Sequence, residues 1–206
     1  MILKVCGMRN ADNIRQLDEA RIADWMGFIF YPKSPRYVAE RPAYLPRYSQ
    51  RVGVFVNASA DDILAHHADY QFNLVQLHGN ELPAFCEALR TQLPKDVKLI
   101  KAIPVSGATA LCATDAYSDC IDYFLFETKC AGYGGSGSQF DWRILHEYQG
   151  SVPFLLTGGI GPDDADKVKA FQHPRLVGID LNSRFETSPA LKDIPTITTF
   201  KQQLTL

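Results

Sequence analysis

The sequence predicts an α/β fold, a single (β/α)₈ TIM barrel occupying residues 1–206 as one domain. Two observations carry most of that expectation. Eight short runs rich in aliphatic, β-branched or aromatic residues recur along the chain, each followed by a segment with helical periodicity, which is the rhythm of repeated βα units. Several runs are apolar throughout instead of alternating, as expected of parallel strands covered on both faces. An open doubly wound sheet shares this pattern, but eight units favour a closed barrel, for which 206 residues lie at the lower end of the usual length.

The strands are expected at Ile2–Cys6, Trp25–Phe30, Arg51–Val56, Leu74–Leu77, Leu99–Ile103, Tyr123–Phe126, Val152–Leu156 and Leu176–Leu181. The helix after the third strand has a start signal in Ser59, followed by Asp61 and Asp62 in the first turn, where carboxylates complement the helix dipole. The helix from Glu81 carries Leu82, Phe85, Cys86 and Leu89 at helical spacing, so Cys86 reads as a core thiol. The helix after the seventh strand has Pro162 at its first turn before Asp163 and Asp164, and turns Ala165, Val168 and Phe171 toward the barrel wall. No Ser/Gly-rich linker divides the chain. The glycine cluster Gly132–Gly137 directly follows the sixth strand and reads as an active-site loop.

Composition narrows the partners. A net charge of −2 supplies no basic field, which excludes electrostatic support for nucleic acid or an anionic membrane and leaves a small polar molecule as the fitting ligand. The apolar N-terminal run is too short for a secretory signal, no stretch reaches transmembrane length, and five cysteines without a C-x-x-C pair argue against a disulfide framework, so the cytoplasm is the expected compartment. His66 and His67 are adjacent on a helix and face different ways, so no zinc site is expected. Oligomeric state, monomer or homodimer, stays open.

In a barrel, function gathers at the carboxyl ends of the strands. There the chain places Lys4, Cys6 and Gly7, the loop Tyr31–Arg36, Asn57, His78 and Gly79, Lys101, and Glu127–Lys129. The circuit closes with Thr157–Gly161 and Asp180–Arg184, after strands seven and eight, the usual phosphate-binding positions of this fold. Gly158, Gly159 and Gly161 let backbone N–H groups approach an anion, and Ser183 and Arg184 complete the cradle; a turn into a helix also needs glycine on steric grounds alone.

The whole chain resembles the phosphoribosylanthranilate isomerases of tryptophan biosynthesis. The resemblance is carried by Lys4–Gly7, Gly27–Val38, Val52–Val56, Val75–Gly79, Phe126–Thr128, Gly134–Trp142, Leu156–Ile160 and Gly178–Ser183, with Glu186, Lys192 and Asp193. The Ser34-Pro35-Arg36 and Gly134–Gly137 blocks are the specific ones. It implies an Amadori rearrangement of N-(5-phosphoribosyl)anthranilate to 1-(2-carboxyphenylamino)-1-deoxyribulose 5-phosphate, with no cofactor or metal. An acid protonates the furanose ring oxygen, the ring opens to an iminium ion, and a base removes the C2′ proton to give an enolamine that tautomerises.

By position, Cys6 corresponds to the family's general base and Glu127 to its general acid, Arg36 to the residue that recognises the anthranilate carboxylate, and Asp180 to an aspartate near the anthranilate or ribose portion. A thiol of ordinary pKa is mostly protonated at neutral pH, so Cys6 needs neighbours that stabilise its thiolate. Lys4 shares its face of the strand but is expected to sit lower in the barrel. Glu127 departs from the family's aspartate by one methylene, and a displacement of about 1 Å can lower a rate on the order of 10²-fold. Arg184 stands where the family often has glycine, adding charge to the phosphate site or pointing to solvent. Two other readings compete: a phosphosugar-binding barrel whose catalysis Glu127 impairs, and a lyase forming a Schiff base on Lys101.

Overall fold

A computed structural model describes residues 1–128 and 141–205 of the chain. The Gly132–Gly137 cluster, expected as an active-site loop, lies outside the described residues. Eight parallel strands close into a barrel in chain order: β1 (Ile2–Cys6), β2 (Trp25–Ile29), β3 (Gln50–Phe55), β4 (Leu74–Leu77), β5 (Lys98–Val105), β6 (Tyr123–Thr128), β7 (Phe154–Leu156) and β8 (Leu176–Leu181). The last strand pairs with the first, setting Lys4 opposite Asp180. Observed strand bounds lie within two residues of the expected ones; β7 loses Val152 and Pro153, proline having no N–H for the ladder.

Alternation along each strand divides the core in two. Cys6, Trp25, Val52, Val54, Leu74, Ile100, Ala102, Leu125 and Leu155 pack inside the barrel. Their neighbours Val5, Met26, Phe28, Phe55, Val75, Leu77, Phe124, Phe126, Phe154 and Leu156 turn outward under the surrounding layer. That layer contains α1 (Ala11–Glu19), α2 (Ala60–Tyr70), α3 (Pro83–Gln92), α4 (Ala165–Ala170) and α5 (Ile194–Thr205). Ser59 caps α2 by accepting from Asp62 N–H, and Ala165, Val168 and Phe171 are buried, as their spacing predicts. The helix expected from Glu81 begins at Pro83 instead: Leu82 is its exposed N-cap, and Cys86 and Leu89 carry the buried stripe.

Three of the expected wall helices are not α-helices. The segments after β5 and β6 tighten into 3₁₀ turns at Ala108–Tyr117 and Trp142–Glu147. Between β2 and β3 the chain runs as an irregular loop, because Pro32, Pro35, Pro42 and Pro46 withdraw N–H donors and disfavour helix at the residues before them. This loop is tied to α1 by the buried Asp18, whose carboxylate accepts from Tyr44 Oη (2.8 Å) and from the backbone N–H groups of Arg47 (2.7 Å), Tyr48 (3.1 Å) and Ser49 (2.9 Å). Burial pushes the Asp18 carboxyl up, but these donors outweigh it and hold it below the usual range. No helix among the described residues is long and apolar enough to cross a membrane.

Asp18→Ala should therefore lower stability by about 2–4 kcal/mol at pH 7, since three backbone donors lose their acceptor. Because the folded carboxyl titrates below its unfolded value, this stabilisation is complete above roughly pH 4 and is lost as pH falls through the folded pKa. Denaturant titrations of both proteins at pH 7 and pH 3 check it: the gap should narrow in acid, and an equal gap at both values would remove Asp18 as the anchor.

Candidate active site

The mouth of the barrel holds an open cavity, lined at its base by Cys6, Gln76, His78, Glu127 and Asp180 and on one side by Thr157–Ile160, Asn182 and Ser183. Strand alternation selects the lining. Cys6 on β1, Gln76 on β4 and Asp180 on β8 face inward, as does Glu127 on β6, two residues beyond the interior Leu125.

The base of the cavity is charged and buried. Lys4 Nζ donates to Asp180 Oδ2 at 2.8 Å, with side-chain exposures of 0% and 5%, and Asp180 Oδ1 is buried without a hydrogen-bond partner among the described residues. Burial disfavours the Lys4 cation, but Asp180 and then Cys6 outweigh it and raise its pKa. Lys4 thus reaches Cys6 as well as Asp180. As expected, Lys4 sits lower in the barrel, fully buried and absent from the cavity lining; what is corrected is its influence, since its charge acts on the Cys6 thiol from the same inward face of β1. Burial pushes the Cys6 thiol above its ordinary value, opposed by Lys4, reinforced by Asp180 and opposed again by Lys192. Burial likewise pushes Asp180 up, against the pull of Lys4, His78 and Lys192.

Arg36 arrives from the proline-rich loop. Gly7, at φ +80, lets it pass: a Cβ there would lie 2.6 Å from Arg36 Cδ. Its guanidinium is already engaged, Nε donating to Glu186 Oε1 (2.9 Å) and Nη2 to Glu186 Oε2 (2.7 Å). Glu186 belongs to a short hairpin after β8, made of β9 (Glu186–Ser188) and β10 (Leu191–Lys192), and it also accepts from Lys192 Nζ at 2.6 Å. Lys192 Nζ donates in addition to Asn182 Oδ1 at 2.9 Å. Burial raises the Glu186 carboxyl, yet Arg36 and Lys192 hold it below the usual range, while burial drives the Lys192 ammonium down despite Glu186.

After β7, Gly158 and Gly159 have φ of +93 and +72, a left-handed pair that side-chain-bearing residues rarely adopt. They line the cavity with Ser183. Gly161 does not share this part: its N–H donates to Asp164 Oδ2 at 2.7 Å, closing the start of the following turn. Arg184 is exposed, lies over Gly161 at the rim and is absent from the cavity lining.

The Lys101 reading is overturned. β5 runs on to Val105, which leaves Lys101 in mid-strand with outward parity between the interior Ile100 and Ala102. Its ammonium donates to Gly79 O (2.8 Å), Ala102 O (3.1 Å) and Glu81 Oε2 (3.1 Å), and Glu81 accepts in turn from the N–H groups of Asn57 and Gly79. Lys101 is a strut for the loop after β4. Sequence reading assigned no role to its partner Glu81, nor to Gln76, His78, Glu186 and Lys192; inward parity on β4 was the available signal for the first inward pair, and the block holding Glu186 and Lys192 for the second.

The comparisons agree along the whole length. A family model described as N-(5′-phosphoribosyl)anthranilate (PRA) isomerase matches residues 3–203. The chain is 48% identical over 204 residues to N-(5′-phosphoribosyl)anthranilate isomerase of Phocaeicola vulgatus, covering 99% of this chain and 98% of that one. The crystal structure of phosphoribosyl anthranilate isomerase from Thermotoga maritima superposes with a TM-score of 0.80 at 31% identity, covering 100% of this chain and 99% of the other. A phosphoribosyl anthranilate isomerase in complex with reduced 1-(o-carboxyphenylamino)-1-deoxyribulose 5-phosphate superposes at 0.77 with 28% identity and the same coverage.

Lys101→Met should destabilise the protein by about 3–5 kcal/mol by leaving Glu81 buried without its cation. Borohydride reduction in the presence of substrate should leave Lys101 unmodified by mass spectrometry; a reduced adduct on it would reinstate the Schiff-base lyase.

Proposed function

The chain belongs to the N-(5′-phosphoribosyl)anthranilate isomerase family, and on that premise we propose that Cys6 is the general base and Glu127 the general acid of its isomerisation. The protein is an isomerase of tryptophan biosynthesis, converting N-(5′-phosphoribosyl)anthranilate to 1-(2-carboxyphenylamino)-1-deoxyribulose 5-phosphate. The observation that carries the assignment is the lining of one cavity by Cys6 and Glu127 from opposite sides of the barrel, β1 and β6, with Lys4 beneath the thiol.

Glu127 donates its proton to the furanose ring oxygen as the bond from that oxygen to C1′ breaks, and the anilinic nitrogen supplies the electron pair for the iminium ion. The Cys6 thiolate then takes the C2′ proton, and the released pair forms the C1′=C2′ double bond of the enolamine. Protonation at C1′ and loss of the enol proton complete the ketone. Burial makes thiolate expensive; Lys4 and Lys192 offset part of that, and the iminium charge formed next to Cys6 adds to them.

Arg36 meets the anthranilate carboxylate. With Nε and one Nη2 proton engaged by Glu186, the Nη1–Nη2 edge is the fork presented to substrate. Gly158, Gly159 and Ser183 hold the phosphate, with Arg184 adding positive charge at the rim. Asp180 carries an unpartnered buried oxygen, Oδ1, an acceptor suited to a substrate hydroxyl or N–H.

Assayed with freshly generated substrate, Cys6→Ala and Glu127→Gln should each lower kcat/KM by about 10²- to 10⁴-fold while binding of the reduced product changes little. Full activity in either variant would remove that residue's role, and a parent protein that binds reduced product but turns nothing over would be a binding barrel. Because the Cys6 thiol lies above its ordinary value, the residual kcat/KM of Glu127→Gln, which lacks the titrating acid, should rise from neutral into alkaline pH; a profile that falls over this range would count against a thiolate base.

A further inference from the structure

The extra methylene of Glu127 has a partner. Glu127 Oε2 lies 3.2 Å from His78 Nε2, with side-chain exposures of 22% and 15%. β6 and β4 are separated by β5, so the longer acid reaches a side chain two strands away. On its other side His78 Nδ1 lies 2.8 Å from Gln76 Nε2. An amide nitrogen only donates, so Nδ1 accepts from Gln76 and a ring N–H at Nε2 faces Glu127. Gln76 is 1% exposed and its Oε1 has no partner among the described residues, so the contact to His78 is the hydrogen bond its amide makes there.

We propose that His78, with its tautomer set by Gln76, is a positioning residue for the general acid: its Nε2–H holds Glu127 Oε2, and Glu127 Oε1 carries the proton delivered to the ring oxygen. This rests on the reading of Glu127 as that acid. Before proton transfer, the N–H of His78 faces a carboxylic acid. Once the proton has left, the same N–H faces a carboxylate, and a hydrogen bond to an ionised acceptor is shorter and stronger. The interaction therefore grows along the ring-opening step, which places its effect on kcat and leaves substrate binding almost unchanged. It also removes the geometric objection to glutamate, because a carboxyl gripped at one oxygen has lost the freedom that an extra torsion would give it.

The experiment is a set of steady-state measurements on His78→Asn, His78→Gln, Glu127→Asp, Glu127→Gln and the double variant His78→Asn/Glu127→Asp. His78→Asn keeps an amide near Nδ1 but loses the donor at Nε2, and should lower kcat by about 10- to 100-fold with KM within about threefold. His78→Gln carries an amide nitrogen to the position of Nε2 and should recover most of that loss. In the Glu127→Asp background the shorter acid does not reach His78, so His78→Asn should lower kcat by no more than about a further threefold. Parent-like kcat in His78→Asn with Glu127→Gln inactive would overturn the positioning role and leave the acid standing; so would an equal loss in both backgrounds, or no recovery in His78→Gln. Parent-like activity in Glu127→Gln would overturn the acid itself. Should His78→Asn melt early or fail to bind the reduced product, the comparison of His78→Gln with parent and with Glu127→Gln carries the test: activity near that of Glu127→Gln overturns the proposal.

Discussion

Lys4 and Asp180 meet at 2.8 Å where the barrel closes on itself, the first strand against the last. An ion pair at this depth is weak as a source of stability, because removing both charges from water offsets most of their attraction. Its placement is better understood through what it leaves over. Lys4 extends its field to the Cys6 thiol, Asp180 keeps Oδ1 unpartnered in the cavity, and Lys192 approaches from the hairpin beyond β8. Two cations therefore work against the desolvation that makes a buried thiol a poor base.

The remaining polar groups follow from the same geometry. Period-two alternation sends Cys6, Gln76, Glu127 and Asp180 into the cavity and sends Lys101, one position from Ile100, into the wall. Two functional side chains are gripped by partners that do no chemistry, Arg36 by Glu186 and Glu127 by His78, while Lys101 and Glu81 brace the loop after β4. Such secondary partners hold reacting groups in place without reorganisation during the reaction.

Much of this was legible in the sequence. The eight strands appear where apolar runs place them, and Cys6, Glu127, Asp180, Gly158, Gly159 and Ser183 gather in one cavity as their strand-end positions imply. Helical periodicity misled where local chemistry overrode it, most plainly in the proline-rich loop that Asp18 ties down through the N–H groups of Arg47 and Ser49. What sequence could not show is who meets whom across closure. Lys4 and Asp180 are 176 residues apart and Arg36 and Glu186 are 150 apart, and neither pairing exists until the ring is complete. Parity identifies a face of a strand, but the reach of a long side chain such as Lys4 or Glu127 depends on the neighbours that surround it.

The most direct test of the charged base is the ionisation of Cys6 itself, read from the pH dependence of its ¹³Cβ chemical shift, assigned by comparison with Cys6→Ala. The account predicts a midpoint above the ordinary thiol value of about 8.5 in the parent protein and a higher one in Lys4→Met, where the cation opposing desolvation is gone. A midpoint that does not move in Lys4→Met, or moves down, would contradict it.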